Sequence, residues 1–176
     1  MKAQHTQAYK ILYQKNAAFF NARPTAKQIL LFSNSALTTV FFAAYAILLI
    51  VAFVKDYKPW EIMRLILAPV LCLFFVTVLR GAINRPRPYA VDGAGITPLK
   101  PKLENENKSF PSRHLASAFV IAPMFIPYLP ALAAILYICG LALGYTRFSC
   151  GWHYPTDLLA GAVLGGGFGA AALLFL

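Results

Sequence analysis

The sequence is dominated by long apolar runs that are separated by shorter polar gaps. Five runs are long enough, or nearly long enough, to cross a bilayer as a helix, which takes about 20 residues. They are Ile29–Val54, Ile62–Leu79, Ser112–Leu129, Pro130–Tyr145 and Thr156–Leu176. A helix satisfies its backbone hydrogen bonds within the segment, as hydrocarbon requires. The sequence therefore predicts an all-α fold: a polytopic transmembrane helical bundle of about five spans, in one domain over residues 1–176.

Composition supports a membrane protein and argues against a nucleic-acid binder. The chain is 59% hydrophobic and 12% charged, whereas a soluble domain is about a quarter charged. The net charge of +10 is concentrated in the gaps between the apolar runs, not spread over a polar domain as in nucleic-acid-binding proteins. We therefore expect membrane lipids and an anionic ligand as partners, and no nucleic acid.

The N-terminal segment, residues 1–28, precedes the first apolar run. Within residues 6–20, Tyr9, Leu12, Tyr13 and Phe20 share one side of a helix. This pattern is typical of an interfacial helix that lies on the membrane surface.

Glycines recur at four-residue spacing in the last two runs: Gly140 and Gly144, then Gly161, Gly165 and Gly169. This spacing lets helix backbones approach closely. It predicts packing inside one bundle, with a homodimer through the same glycine-rich spans as the alternative.

The longest polar stretch, residues 80–111, is rich in proline and glycine and is predicted to be an irregular loop. A loop of this length in a small protein is usually functional. In an alternating bundle, this loop shares one side of the membrane with the end of the fourth run and the start of the fifth. Polar residues collect there: Arg80, Arg87, Ser112, Arg113, His114, Arg147, His153 and Asp157.

Several arginines at one end of the bundle would repel one another unless an anion lay between them. The flat guanidinium group matches phosphate geometry, and Ser112 is expected to begin a helix whose free amides attract phosphate. Arg113 is expected to contact either phosphate or lipid head groups.

His153 and Asp157 are four residues apart, about one helical turn. A carboxylate that accepts one imidazole N–H fixes the tautomer and leaves the other nitrogen free to attack. His114 is a second histidine at the same end of the bundle.

These residues resemble the three motifs of the type 2 phosphatidic acid phosphatase superfamily, which includes membrane lipid phosphatases of the undecaprenyl-diphosphatase kind. The first motif places a lysine six residues before an arginine-proline pair; here Arg80 precedes Arg87 and Pro88. The second reads proline-serine-glycine-histidine; here it is Pro111-Ser112-Arg113-His114. The third corresponds to Thr146-Arg147, His153 and Asp157. Arg80, Arg113 and Thr146 depart from the common lysine, glycine and serine, and the family often shows six spans.

The resemblance implies an integral membrane lipid phosphatase that works through a phosphohistidine. His153 would be the nucleophile, Asp157 its orienting partner and His114 the acid. The phosphate would be held by Arg80, Arg87, Ser112, Arg113 and Arg147, with no metal and no cofactor. Candidate substrates are phosphatidic acid, phosphatidylglycerol phosphate, undecaprenyl diphosphate and a lipid A phosphate. The alternatives are a lipid or anion transporter that uses the same phosphate-binding residues, and a vanadium haloperoxidase-like enzyme.

Sidedness is predicted in two opposing ways. Five spans put the N-terminus and the polar cluster on one side, together with 13 of the 16 basic residues, and the positive-inside rule then favours the cytoplasm. The resemblance implies a multi-pass protein of the cell membrane with its site on the extracytoplasmic face, and we adopt that expectation.

Overall fold

The computed structural model describes residues 2–91, 95–100 and 106–175. Within these ranges the chain is mainly helical and contains no strand. The α-helices are α1 (Lys2–Asn21), α2 (Pro24–Val54), α3 (Pro59–Ile83), α4 (Arg113–Ile121), α5 (Pro130–Ser149) and α6 (Pro155–Phe175). The predicted all-α membrane bundle is confirmed.

Four helices, α2, α3, α5 and α6, are long and apolar enough to cross a membrane. The third predicted span is not one continuous helix. It consists of α4 followed by a 3-10 helix, Ala122–Phe125. Pro123 and Pro127 explain the break, because proline lacks the amide hydrogen that an α-helix needs. The prediction of five spans holds only if these two short elements are counted together as one crossing.

Proline also begins the four long helices. Pro24, Pro59, Pro130 and Pro155 are their first residues, where the missing amide hydrogen would have had no helical partner. At the other end of α3, Asn84 adopts a left-handed conformation with φ 46° and ends the helix. These local signals fix where the polar loop begins and where α6 starts.

Helix α4 packs closely against α6 through the predicted glycine face. A Cβ on Gly161 would lie 2.5 Å from the Ser112 carbonyl oxygen, and one on Gly165 would lie 2.3 Å from that of Ala116. Gly140 and Gly144 of α5 also face α4, against Phe119 and Leu115. The glycines therefore allow close packing within the bundle, which was the first of the two predictions made for them. Because α4 covers these faces, a second chain could use them only by displacing it.

Helix α1 lies on the loops at one end of the bundle. Tyr9, Tyr13 and Phe20 are buried and pack in a cluster that includes Ile96, Leu99, Cys150 and Trp152. The Tyr13 hydroxyl donates to the Thr97 carbonyl over 2.7 Å. The N-terminal helix is therefore confirmed and its place on the membrane surface stays a prediction, but Leu12 does not share the buried side of Tyr9, Tyr13 and Phe20. Leu12 is 58% exposed, because the packed face of α1 is centred between Tyr9 and Tyr13.

We predict that Gly165→Ala destabilises the bundle by about 1–3 kcal/mol, because the added methyl group overpacks the contact with α4. Gly166→Ala is the matched control. A Cβ at Gly166 meets nothing within 4 Å, so alanine there should be neutral or slightly stabilising through its helix propensity. Thermal unfolding of both variants in detergent checks this. Equal melting temperatures would show that the close α4–α6 approach does not limit stability.

Candidate active site

The predicted polar residues meet at the end of the bundle that α1 covers. Six of the eight are buried: Arg80, Arg87, Ser112, Arg147, His153 and Asp157. His114 is half-buried and Arg113 is exposed. His153 lies in the short connection between α5 and α6, while Asp157 lies in the first turn of α6. Residues more than 70 positions apart in the sequence are thus brought into one site.

The two ring nitrogens of His153 have different surroundings. Nδ1 lies 2.9 Å from the backbone carbonyl oxygen of Ser109. A carbonyl oxygen can only accept, so Nδ1 carries the proton and donates it. Nε2 is then left with its lone pair and lies 3.4 Å from Nη1 of Arg87. Burial lowers the pKa of His153 to about 4, although Asp157 opposes this effect. The ring is therefore neutral at pH 7.

Asp157 holds several groups together at the base of the site. Its Oδ1 accepts from Arg85 Nη1 over 2.7 Å, and its Oδ2 accepts from the Ser109 hydroxyl and, over 2.8 Å, from the Tyr154 amide. The Tyr154 contact caps α6, because the residue three positions into the helix reaches back to the amide before its first turn. His153 Nδ1 is 3.7 Å from Oδ2, longer than a hydrogen bond. The Ser109 carbonyl thus lies closer to His153 than the carboxylate does.

Arg80 holds the loop that leads into α4. Its Nη1 donates to the Pro111 carbonyl over 2.7 Å, and its Nη2 donates to the Lys108 carbonyl. Within the loop, the Ser109 amide donates to the Arg85 carbonyl over 2.9 Å. These contacts fix the position of the segment immediately before Ser112. Both terminal nitrogens of Arg80 thus donate to backbone carbonyls.

Ser112 lies at the N-terminus of α4, as predicted, but its hydroxyl does not cap the helix. The side chain is fully buried, and Oγ has no hydrogen-bond partner within the described residues. The Ser112 amide donates to the Asp157 carbonyl over 2.9 Å. An unpartnered buried hydroxyl costs roughly 1–3 kcal/mol. Together with the free amides of the first helical turn, it forms a ready site for an anion.

Arg87 and Arg147 flank the histidine. Arg87 Nη1 donates to the Trp152 carbonyl over 2.8 Å. Arg147 lies with its guanidinium carbon 5.1 Å from the centre of the Trp152 ring, and its Nη2 donates to the Thr38 hydroxyl over 3.2 Å. Its Nε is buried without a hydrogen-bond partner in the described part of the chain. The site thus contains unpaired donors beside buried positive charge.

His114 and Arg113 begin α4 but differ in position. His114 is half-buried in the first turn of α4, two residues after Ser112, and its electrostatic neighbours include Arg147 and His153. Arg113 is within electrostatic range of Arg80 and Arg87, but its side chain is exposed. The exposed position leaves Arg113 able to contact phosphate or lipid head groups, the two expectations stated for it.

Two further residues contact the pair His153 and Asp157: sequence reasoning missed Ser109, and it left Arg85 outside the predicted site. Ser109 touches both His153 and Asp157 and is fully buried. No motif marks it, although it precedes Pro111 and Ser112 by only a few residues. Arg85 forms the ion pair with Asp157 and lies 4.1 Å over the Tyr154 ring. Its place in the loop between Arg80 and Arg87 was the available signal.

The described residues contain no group of three histidine, cysteine, aspartate or glutamate side chains that could hold a metal ion. The site is instead rich in arginine. That donor set suits an anion and is a poor match for a divalent cation, which prefers carboxylate or imidazole ligands.

Comparison with known proteins identifies the family. Residues 61–176 match the PAP2 superfamily. The chain is 30% identical to the lipid A 1-phosphatase of Rhizobium etli over 113 residues, which are 64% of this chain and 49% of that protein. The corresponding values for the lipid A 1-phosphatase of Rhizobium johnstonii are 29%, 64% and 46%. The chain thus spans about half the length of these relatives.

Two solved structures resemble the whole fold. The crystal structure of Aquifex aeolicus LpxE matches with a TM-score of 0.71 and 28% identity, covering 93% of each chain. The transmembrane PAP2-type phosphatidylglycerolphosphate phosphatase from Bacillus subtilis matches with a TM-score of 0.63 and 22% identity, covering 97% of this chain and 94% of that one. The second likeness concerns the fold alone. Because the family match covers more than half of the chain and contains all three motifs, this multi-pass membrane protein belongs to the PAP2 superfamily.

Proposed function

We propose that this protein is an integral membrane phosphatase that removes phosphate from a lipid phosphate through a phosphohistidine on His153. The observation that carries the proposal is the His153 environment. Its Nδ1 donates to the Ser109 carbonyl over 2.9 Å, which leaves Nε2 as a neutral nucleophile among buried arginines. A histidine that only stabilised the fold would not need buried donors without partners, such as Ser112 Oγ and Arg147 Nε, beside it.

The phosphate would lie next to Nε2, among the side chains of Ser112, Arg87 and Arg147. Ser112 Oγ and Arg147 Nε are buried donors without partners within the described residues, and Arg87 Nη1 lies 3.4 Å from Nε2. A phosphoryl group there would accept hydrogen bonds from Ser112 Oγ and Arg147 Nε. Those donors would also stabilise the charge that builds on the phosphoryl oxygens in the transition state.

The reaction would proceed in two displacements. In the first, Nε2 of His153 forms a bond to phosphorus while the bond from phosphorus to the lipid oxygen breaks, and His114 donates a proton to that oxygen. In the second, His114 accepts a proton from water as the water oxygen attacks phosphorus and the Nε2–phosphorus bond breaks. Inorganic phosphate is released, and His114 is again protonated. The negative charge of bound phosphate favours the protonated form of His114.

Asp157 would act mainly by charge and by position. As His153 becomes phosphorylated, its ring gains positive charge, and the carboxylate at 3.7 Å stabilises that charge. The Ser109 hydroxyl and the Tyr154 amide hold the carboxylate in place. Arg85, which pairs with its other oxygen, offsets part of its charge.

The substrate that we propose first is a lipid A phosphate. The two relatives of the chain named above are lipid A 1-phosphatases at 30% and 29% identity, and the A. aeolicus LpxE structure resembles it at 28% identity. Phosphatidic acid, phosphatidylglycerol phosphate and undecaprenyl diphosphate remain the comparison substrates. Phosphate release by purified protein from each of the four lipids tests the choice, and equal or higher kcat/KM on another lipid would replace it.

We predict that His153→Asn removes turnover, because no nitrogen nucleophile remains, and keeps the fold. Thermal unfolding in detergent checks the fold, and release of labelled phosphate checks turnover. The wild-type protein, quenched during turnover, should carry an acid-labile, base-stable phosphoryl label that the variant lacks. Turnover of His153→Asn at the wild-type rate would contradict the mechanism. A wild-type protein that binds the lipid but releases no phosphate in detergent would favour the transporter alternative.

Chelation should leave the activity unchanged, since we propose that arginines supply the electrostatic stabilisation that a metal ion supplies elsewhere. The measurement is phosphate release before and after dialysis against EDTA. Vanadate should inhibit, because it imitates five-coordinate phosphorus. Activity that disappears in EDTA and returns with magnesium would exclude the metal-independent mechanism. Bromide peroxidation in the presence of added vanadate would support the haloperoxidase alternative.

His114→Ala should affect substrates unequally. A phosphate monoester expels an alkoxide, which needs a proton, so the loss should approach the 10²–10⁴-fold, roughly, that general acid catalysis contributes. A diphosphate expels a phosphate monoester, which is a weaker base, so the loss should be clearly smaller. The test compares kcat/KM for phosphatidic acid and undecaprenyl diphosphate at one pH. An equal loss on both would mean that His114 binds phosphate and does not act as the acid.

We also propose that the site faces the extracytoplasmic side. The positive-inside count favours a cytoplasmic site partly because of four arginines that have contacts inside the site: Arg80, Arg85, Arg87 and Arg147. These contacts account for the four positive charges at this end of the bundle whichever side of the membrane it faces. Asn107→Cys lies on the site side and Lys55→Cys on the opposite side, and both positions are exposed.

An impermeant thiol reagent applied to intact cells should label Asn107→Cys and not Lys55→Cys. The wild-type chain, in which Cys72 and Cys150 are buried and Cys139 is partly buried, gives the background. The reverse labelling pattern would place the site in the cytoplasm.

A further inference from the structure

The first span carries a row of polar side chains that the motifs do not explain. Asn34, Ser35 and Thr38 lie within α2, which is otherwise largely apolar. Asn34 is 3% exposed. Polar groups inside a membrane helix are costly and usually face a partner or a functional site. This row also lies before residue 61, where the match to the PAP2 superfamily begins.

Each member of the row contacts a different part of the site end. The Asn34 side chain lies 3.3 Å from the Thr146 hydroxyl, beside Arg147. Ser35 Oγ accepts from Lys100 Nζ over 3.3 Å. Thr38 Oγ1 accepts from Arg147 Nη2 over 3.2 Å. The row therefore connects α2 to the third motif and to the polar loop.

The Thr38 hydroxyl is arranged to accept and not to donate to Arg147. Its proton is given to the Asn34 carbonyl one turn earlier, over 2.9 Å. A hydroxyl has one proton and two lone pairs, so this bond leaves a lone pair for the guanidinium group. A hydroxyl that back-bonds in this way is held in one rotamer, which fixes the direction from which Arg147 must approach.

Thr38 is the one hydrogen-bond partner of the Arg147 side chain among the described residues. The remaining contact is with the Trp152 ring, at 5.1 Å, and Nε has no partner there. An arginine with a single anchor depends on it for its rotamer. If the anchor were removed, Nη2 would lose its hydrogen-bond partner as well.

We propose that Thr38 is a positioning residue for phosphate binding, which acts by holding Arg147 in the orientation that the phosphate needs. This inference rests on the proposed function, in which Arg147 binds a phosphoryl group. It assigns part of the site to α2, a helix outside the residues that match the family.

The test compares two substitutions that separate the hydroxyl from packing. Thr38→Val keeps the shape and removes the hydroxyl, whereas Thr38→Ser keeps the hydroxyl and removes a methyl group. A hydrogen bond to a charged group is lost only in the first, so Thr38→Val should lower kcat/KM by about 10-fold or more. Thr38→Ser should stay within about threefold of the wild type. If the side chain serves only packing, the order is reversed.

Thr39→Val is the matched control. Thr39 makes the same kind of bond, from Oγ1 to the Ser35 carbonyl over 3.2 Å, but it is exposed. Its substitution should leave kcat/KM and the melting temperature unchanged. If Thr39→Val lowered kcat/KM as much as Thr38→Val does, the effect would come from any loss of a hydroxyl in α2 and not from the contact with Arg147. That result would overturn the proposal.

Vanadate binding, measured by its effect on the melting temperature in detergent, provides a readout that does not depend on turnover. Thr38→Val should weaken vanadate affinity in the wild-type background and have no further effect in Arg147→Ala. Equal weakening in both backgrounds would show that Thr38 does not act through Arg147. If wild-type protein binds vanadate but releases no phosphate from any lipid, the proposed function fails while the vanadate comparison still decides the role of Thr38.

Discussion

The concentration of buried arginines at one end of the bundle is the constraint on which this structure depends. Arg80, Arg87 and Arg147 are each at most 5% exposed, and Asp157 is the one fully buried carboxylate among the described residues. The Asp157 carboxylate is in turn shared with Arg85. Guanidinium groups stay charged at any physiological pH, so this positive charge cannot be removed by deprotonation. A bound phosphate would compensate this charge, and backbone carbonyls and the Trp152 ring offset part of it.

The bundle brings this charge together through one close contact. Helix α4 approaches α6 because Gly161 and Gly165 leave room for its backbone carbonyls. The approach lets the Ser112 amide reach the Asp157 carbonyl over 2.9 Å. The second and third motifs are thereby fixed relative to each other. Arg80 then anchors the first motif to the same segment through the Pro111 carbonyl. Stability and site geometry thus rest on the same helix pair.

Much of this arrangement could be predicted from the sequence because apolar length, proline and motif spacing are local signals. The long spans and the collection of His153, Asp157 and the motif arginines at one end of the bundle follow from such signals. The break after α4 was signalled by Pro123 and Pro127, but their effect depends on packing against α6. Leu12 was grouped with Tyr9, Tyr13 and Phe20 because a helix with apolar residues on two sides does not reveal which side meets the protein.

The contacts that refine the site could not be predicted in the same way. Ser109 orients His153 through a backbone carbonyl, and any residue type supplies that group, so no sequence pattern marks it. Thr38 meets Arg147 across more than a hundred residues, and its hydroxyl is one of several along an apolar helix. Such contacts depend on how each helix is rotated about its axis relative to its neighbours. That rotation is set by the packing of all the core side chains together, and no local sequence pattern specifies it.

The central claim is that Nε2 of His153 attacks phosphorus while Nδ1 stays bound to the Ser109 carbonyl. The most direct test is to identify the phosphorylated nitrogen in protein quenched during turnover. Mass spectrometry of the labelled peptide locates the residue, and phosphorus–nitrogen coupling in ¹⁵N-histidine-labelled protein identifies the ring nitrogen. The account predicts phosphate on Nε2 of His153. Phosphate on Nδ1, on His114 or on a carboxylate would contradict it.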